Sequence, residues 1–159
     1  MNIITNKSIW LSALIKVIAT LLFCNLVFNH SYDKPYYNYD SIPYVASAKY
    51  LETRDHEISH KYSYELLKKK APQFYNGLCC SGAYRNSMSS DAEAFASHMP
   101  AYQIKSMYVG LIRFTSDFFG VDEYKAINLI SLSSVFGIVL VFAGLFFHIN
   151  IFGFLSLFG

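Results

Sequence analysis

Two long apolar stretches constrain the fold of this chain more than any other feature. They cover residues 9–28 and the region from residue 126 onwards, and a polar segment lies between them. All eleven acidic residues lie between Asp33 and Glu123, and all thirteen tyrosines lie between Tyr32 and Tyr124. This segregation of apolar and polar residues is typical of an integral membrane protein.

The first apolar stretch follows a short N-terminal segment, residues 1–8, and predicts a transmembrane helix. Residues 9–28 suffice as a helix to cross roughly 30 Å of hydrocarbon. A cleaved signal peptide has a shorter apolar region and ends in a small-x-small site, whereas this stretch ends in Phe-Cys-Asn-Leu-Val-Phe. We therefore expect an uncleaved signal anchor. Lys16 lies near its middle, where it either pairs inside a helix bundle or extends its ammonium group towards the interface.

The second apolar stretch predicts another transmembrane helix at residues 126–148. His148 and Asn150 interrupt it, and they predict a turn. Residues 149–159 then open a third span that is too short to cross a bilayer. The sequence therefore suggests a fragment of a longer protein. A signal anchor followed by a long, nearly neutral loop favours an external position for that loop.

Charge in the loop is balanced, which limits the classes of partner. Residues 30–125 contain eleven lysines and arginines and eleven acidic residues. No basic stripe indicates nucleic-acid binding. The run at residues 68–70 is the solvated last turn of a helix, or alternatively a contact for lipid phosphate. The lipid bilayer is the partner that the composition predicts.

The sequence of the loop, residues 29–125, predicts a helical domain. The predicted fold is therefore an all-α membrane protein. Asp40 and Pro43 mark a helix start, and residues 58–70 fit a second helix. Residues 77–90 are rich in Gly, Ser and Asn and predict a loop. A short helix capped by Ser90 or Asp91 and ended by Pro100 follows, and then a longer helix at 102–119. Helical spacing places two sets of side chains on core-facing stripes: Tyr44, Val45, Ala48 and Leu51, and Ile104, Tyr108, Leu111 and Thr115.

The string His56-Glu57-Ile58-Ser59-His60 has the HExxH pattern of zinc hydrolases. Histidines four residues apart share a helix face and can bind zinc, while the glutamate activates water. Charged flanking residues argue against this site, and solvated histidines are the alternative. No cofactor is favoured, and a divalent metal remains the alternative.

Two further features have competing interpretations. Cys79 and Cys80 are adjacent, which indicates unpaired thiols in a loop, with a redox role as the alternative. Asp40 follows the first span by twelve residues and starts a helix. It is either a helix cap or a carboxylate that acts as general base on an acceptor hydroxyl near the membrane surface.

Two stretches also carry a resemblance to a known family. Residues 39–48 (YDSIPYVASA) follow the first span, and residues 99–109 (MPAYQIKSMYV) precede the second. Together they resemble the first external loop of bacterial polytopic membrane proteins of the GT-C glycosyltransferase type, most of them uncharacterised. The second stretch departs from the family pattern at Ser106 and Met107, where Pro-Leu is usual. The similarity covers about residues 9–147, the opening part of such a protein.

The resemblance implies an enzyme of the bacterial inner membrane, with its loop in the periplasm, that uses a polyprenyl-phosphate-linked sugar. By position, Asp40 matches the catalytic base of the family, and Tyr102 and Lys105 match the substrate-binding motif. Arg85 becomes a candidate phosphate contact, with an exposed loop arginine as the simpler account. Activity would require missing C-terminal spans or other membrane subunits, because this chain alone lacks the spans that hold a lipid donor.

Two other functions remain open from the sequence. The chain could be a two-span membrane protein whose external loop binds a ligand or partner without catalysis. Less favoured is a membrane zinc hydrolase that uses His56, Glu57 and His60.

Overall fold

A computed structural model describes residues 3–32 and 34–155, and its regular elements within those ranges are all α-helices. The helices are α1 (Ile3–Tyr32), α2 (Ser41–Thr53), α3 (His56–Lys70), α4 (Pro72–Cys79), α5 (Ala83–Ser90), α6 (Ala92–Gln103), α7 (Ser106–Phe119) and α8 (Glu123–Leu155). They divide into two compact units. The first contains α1 and the part of α8 from residue 131 onwards, and the second covers Pro35–Ile130. The all-α prediction is confirmed for these residues.

Two apolar helical stretches contribute to the first unit, the second of them only from residue 131 onwards. By length and composition, Leu14–Tyr32 and Glu123–Leu145 are able to cross a membrane, a property that signal sequences and core helices of soluble proteins share. The rings of Phe28 and Phe136 stack with their centroids 6.2 Å apart. Helix α8 continues without interruption through residues 148–150, where the sequence predicted a turn. Neither Gly nor Pro lies there to break it. The end of the predicted third span, residues 156–159, lies outside the described residues.

The second unit is built around α2, which packs against α3, α6 and α7. Seven of its residues are buried: Ser41, Ile42, Pro43, Val45, Ala46, Ser47 and Ala48. Leu51, which the spacing placed on the same face, is exposed. The first turn of α8 also enters this unit, since Tyr124 and Ala126 are buried in its two apolar clusters. The core of the second unit therefore needs residues from the start of the second apolar stretch.

Side-chain caps explain where two helices of this unit begin. The Asp55 carboxylate accepts a hydrogen bond from the Ile58 amide at 3.0 Å, which starts α3 two residues before the predicted boundary. Asp91 accepts from two amides at the start of α6, as expected for an aspartate cap. Helix α7 ends at Gly120, whose φ of +63° is left-handed, a conformation that glycine adopts without steric cost.

The region predicted to be a loop, residues 77–90, is largely helical. It contains the end of α4 and the whole of α5. Cys79 and Met88 are buried in the apolar core, so tertiary packing stabilises these short helices despite their Gly, Ser and Asn content. Helix α6 likewise continues past Pro100 for one further turn. The predictions of a loop and of a helix end at Pro100 are both wrong.

Helix α7 forms where the sequence predicted a long amphipathic helix, and half of the predicted stripe contacts the core. Thr115 is buried and Tyr108 is half-buried, whereas Ile104 and Leu111 are exposed. The other buried side chains of α7 are Val109, Ile112 and Ser116. The predicted stripe is therefore rotated by roughly a quarter turn from the buried one. Both faces of this helix are apolar, so the periodicity of the sequence could not decide between them.

Candidate functional site

Asp40 occupies the N-cap position of α2 but makes no side-chain cap hydrogen bond. The helix start is instead fixed by the neighbouring Asn38 and Ser41. The Asn38 side-chain oxygen accepts from the Ser41 amide at 2.7 Å, and the Ser41 hydroxyl donates to the Asn38 carbonyl at 2.6 Å. Asp40 therefore lies at the cap position that the sequence predicted, but its side chain does not cap the helix. Its carboxylate is available for other contacts.

The Asp40 side chain meets a residue from the second sequence motif. The Tyr102 hydroxyl, on α6, donates to Oδ1 of Asp40 over a long 3.4 Å. Beside it, the Lys105 ammonium group donates to the Tyr44 hydroxyl at 2.5 Å and lies 5.3 Å from the centroid of the Tyr44 ring. Tyr44 also meets Tyr102 edge-on, with ring centroids 5.2 Å apart. We call Asp40, Tyr44, Tyr102 and Lys105 the Asp40 cluster.

A second cation lies next to the Asp40 cluster. The Arg85 guanidinium is 5.2 Å from the centroid of the Tyr39 ring, and its Nη1 donates to the Gly77 carbonyl at 2.7 Å. Tyr39 precedes Asp40 in the chain, and Tyr84 contacts Tyr39 with ring centroids 5.9 Å apart. The four candidate residues that the sequence singled out, Asp40, Arg85, Tyr102 and Lys105, therefore lie in one region of the second unit.

The electrostatics of the region favour the neutral form of Tyr39 and Tyr102 and the charged form of Lys105. Burial raises the pKa of Tyr102, and the nearby Asp40 carboxylate raises it further. Burial and a hydrogen bond with Tyr84 raise the pKa of Tyr39. The hydrogen bond to Tyr44 raises the pKa of Lys105, which therefore stays protonated at neutral pH. The region thus presents one carboxylate, two cations and several neutral phenol groups.

These groups match the chemistry of a phosphorylated sugar. Aromatic faces pack against the apolar C–H surface of a sugar ring, and phenol and carboxylate oxygens bond to its hydroxyls. Lysine and arginine bind phosphate through charge-assisted hydrogen bonds. A carboxylate within reach of a hydroxyl can also accept its proton.

The HExxH residues do not converge on one point. The exposed His56 ring stacks on Tyr50 with centroids 4.3 Å apart. The buried His60 lies 2.9 Å from the Met88 carbonyl through Nε2, and its ring packs on Tyr64 and Phe95. Among the described residues, no group of three or more His, Cys, Asp or Glu side chains could hold a metal ion. His60 has a packing role that the helical spacing alone did not reveal.

Cys79 and Cys80 are joined by a disulfide bond at the end of α4. The expectation of unpaired thiols is therefore wrong. Cys79 is fully buried and Cys80 is exposed. Cys24, in α1, is a free thiol.

Sequence reasoning missed three tyrosines of this region: Tyr39, Tyr44 and Tyr84. Tyr44 follows Asp40 by four residues, and side chains at that spacing share a helix face. This spacing is the signal that could have identified it. Tyr84 carried no such signal, because it comes from α5, which the sequence predicted to be a loop.

The fold and this region define an all-helical protein with two helices able to span a membrane and an aromatic, charged surface on its second unit. No protein-family model, curated protein or solved structure matches the chain.

Proposed function

We propose that this chain is an integral protein of the bacterial inner membrane, anchored by α1 and α8, with its second unit on the periplasmic side. The two apolar helices support the membrane location. The position of a long, nearly neutral loop after a signal anchor supports the external side. The remaining question is what the second unit binds.

We further propose that the Asp40 cluster and Arg85 bind a polyprenyl-phosphate-linked sugar, as part of a GT-C-like glycosyltransferase. One observation carries this proposal: the Asp40 carboxylate is not used as a helix cap and accepts from the Tyr102 hydroxyl, while the Lys105 ammonium group bonds to the neighbouring Tyr44. A cap aspartate would be occupied by backbone amides. An aspartate beside a cation and phenol rings that meet edge-to-face has the chemistry of a sugar-phosphate site.

The proposed reaction transfers a sugar from phosphate to an acceptor hydroxyl. The acceptor oxygen forms a bond to the anomeric carbon while its proton passes to Asp40. The bond between the anomeric carbon and the phosphate oxygen breaks, and its electron pair leaves with the polyprenyl phosphate. Lys105 and Arg85 stabilise the negative charge on that leaving group. Further membrane spans, from the same protein or from partner subunits, hold the lipid chain.

The test is sugar transfer by membranes that contain the full-length protein or its Asp40→Asn variant. The probes are undecaprenyl-phosphate-linked radiolabelled glucose, mannose and arabinose, and the readout is label in endogenous acceptors. Asn keeps the shape of Asp but cannot accept the proton, so transfer should fall by about 10²- to 10⁴-fold at unchanged protein abundance. Glu65→Gln, which neutralises an exposed carboxylate on α3, is the matched control and should transfer normally. Normal transfer by Asp40→Asn at normal abundance would remove Asp40 as the base.

A second function, ligand binding without catalysis, is favoured by a different observation. Residues Pro35–Ile130 form a compact unit with apolar clusters of their own. Such a unit can bind a ligand without the rest of an enzyme. This alternative predicts that the probes bind to the full-length protein, that Lys105→Gln weakens their binding, and that label never reaches an acceptor.

A further inference from the structure

Helix α7 has an outward face that is entirely apolar. Met107, Leu111, Phe114 and Phe118 follow one another at intervals of four, three and four residues, which places them on one line along the helix. Their exposed fractions are 81%, 43%, 63% and 70%, and Ile104 just before the helix is 82% exposed. The outward face of a helix in a soluble domain is normally polar. We call these five residues the α7 ridge.

The ridge is separate from the core-facing side of the same helix. Val109, Ile112 and Ser116 are buried on the opposite side. Helix α7 therefore already packs one face into the core, and the ridge is a second apolar face. The charged groups of α7 lie beside the ridge and bond to each other, with Arg113 Nε 2.8 Å from an Asp117 carboxylate oxygen. The ridge side chains are themselves all uncharged, and the nearest charge, Lys105, lies at the end of the ridge beside Ile104 and Met107.

The position of α7 in the chain supports a lipid surface as the partner of the ridge. Three residues, 120–122, separate Phe119 from Glu123, where the candidate membrane segment Glu123–Leu145 begins. A linker of this length reaches at most about 14 Å. The end of α7 is therefore held within that distance of the start of α8, the helix whose later part, from residue 131, belongs to the apolar first unit. An exposed apolar helix face beside a membrane-spanning segment is suited to lie in the membrane interface, with that face turned towards the acyl chains.

We propose that the α7 ridge lies in the bilayer interface and contacts the outer part of the phospholipid acyl chains. This proposal rests on the membrane location proposed above and adds a second, peripheral contact to the two spans. It also predicts the position of the Lys105 ammonium group relative to the bilayer surface. Lys105 is the N-cap residue of α7, so a helix lying in the interface holds its ammonium group at the level of the lipid phosphates.

The test measures the depth of single tryptophans in the full-length protein. The chain has one tryptophan, Trp10, and Trp10→Phe provides a background without it. Phe114→Trp then places a probe on the ridge, and Leu140→Trp places one in the candidate span. Ile58→Trp is the matched control, because Ile58 is 52% exposed on α3 and lies off the ridge. Each variant is reconstituted into phosphatidylcholine–phosphatidylglycerol vesicles with and without dibrominated phosphatidylcholine, which quenches tryptophan on contact.

The expected result is loss of most of the emission for Phe114→Trp and Leu140→Trp, with little loss for Ile58→Trp. Quenching of Phe114→Trp no stronger than that of Ile58→Trp, while Leu140→Trp is quenched, would overturn the ridge proposal and leave the membrane location intact. Blue-shifted but unquenched emission from Phe114→Trp would also overturn it, because protein rather than lipid would then cover the ridge. If Leu140→Trp were not quenched, α8 would not span the bilayer, and the proposed membrane location would be wrong.

Discussion

The contact between Tyr62 and Glu123 joins α3 to the first turn of α8, and removing it should destabilise the second unit. The Tyr62 hydroxyl donates to Oε2 of Glu123 at 2.6 Å, and Glu123 is only 3% exposed. The substitution Tyr62→Phe removes the hydroxyl and keeps the ring, so it leaves a buried carboxylate without this donor. Hydrogen bonds to charged groups contribute about 1.5–3 kcal/mol. Tyr62 is itself half-buried, so water can partly replace its hydroxyl.

These values predict a loss of about 2 kcal/mol in the free energy of unfolding for Tyr62→Phe. For a unit of this size, the midpoint of thermal unfolding should fall by roughly 10 °C. The assay is near-ultraviolet circular dichroism of the purified full-length chain in detergent, which follows the packing of the tyrosines. Tyr36→Phe is the control, because Tyr36 is 79% exposed and its substitution should leave the midpoint unchanged. Equal midpoints for the two variants would refute the reasoning and mean that Glu123 is solvated.

Two further predictions concern pH and backbone conformation. Burial raises the pKa of Tyr64, so the folded state keeps a proton that the unfolded chain releases above about pH 10, and stability should fall as the pH rises past that value. Among the described residues the Tyr64 hydroxyl has no hydrogen-bond partner, so Tyr64→Phe should leave the free energy of unfolding nearly unchanged at pH 7. The variant should also lose less stability than the original protein at alkaline pH. Thermal melts of both proteins over pH 8–11 check this, and parallel curves would contradict it. Gly120→Ala should destabilise the fold by about 1 kcal/mol because an L side chain is strained at positive φ. Gly77→Ala, in α4 with open space around it, should instead stabilise the fold slightly. Denaturant titrations measure both changes in the free energy of unfolding. Changes of the same sign would argue against the left-handed role of Gly120.

The helices with strong local signals were predictable from the sequence. Helix α3 has an aspartate before it and a lysine run at its end, and the structure ends it at Lys70 as predicted. Helix α6 has its aspartate cap at one of the two predicted positions. These features depend on atoms within a few residues of each other, so a short stretch of sequence contains the necessary information.

Features that depend on distant residues were not predictable. Helix α5 contains serines and an asparagine that favour loops, and it is helical because Met88 packs into a core made largely by α2 and α3. The buried face of α7 also could not be chosen, since its two opposite faces are both apolar and only the position of α2 decides between them. Tertiary contacts decide which face of a helix is buried and whether a weak helix forms. The hydrophobic periodicity of the sequence does not specify those contacts.

The candidate site was partly predictable for the same reason. Asp40, Tyr102 and Lys105 were found because each lies in a contiguous motif. The sequence could not show that Tyr102 reaches Asp40 or that Lys105 reaches Tyr44, because each pair joins residues about sixty positions apart. Whether Asp40 acts as a cap was likewise undetermined, since Asn38 and Ser41 compete for the same helix end.

The burial of Tyr124 and Ala126 in the second unit has a consequence for the order of events during synthesis. These residues belong to α8, and they complete apolar clusters that otherwise consist of residues from earlier in the chain. While the ribosome is still adding residues 35–122, both apolar clusters lack the side chain that α8 contributes to them. The segment can close its core only after the start of α8 has been made. Folding of the second unit is therefore complete only after the start of the next apolar helix has left the ribosome.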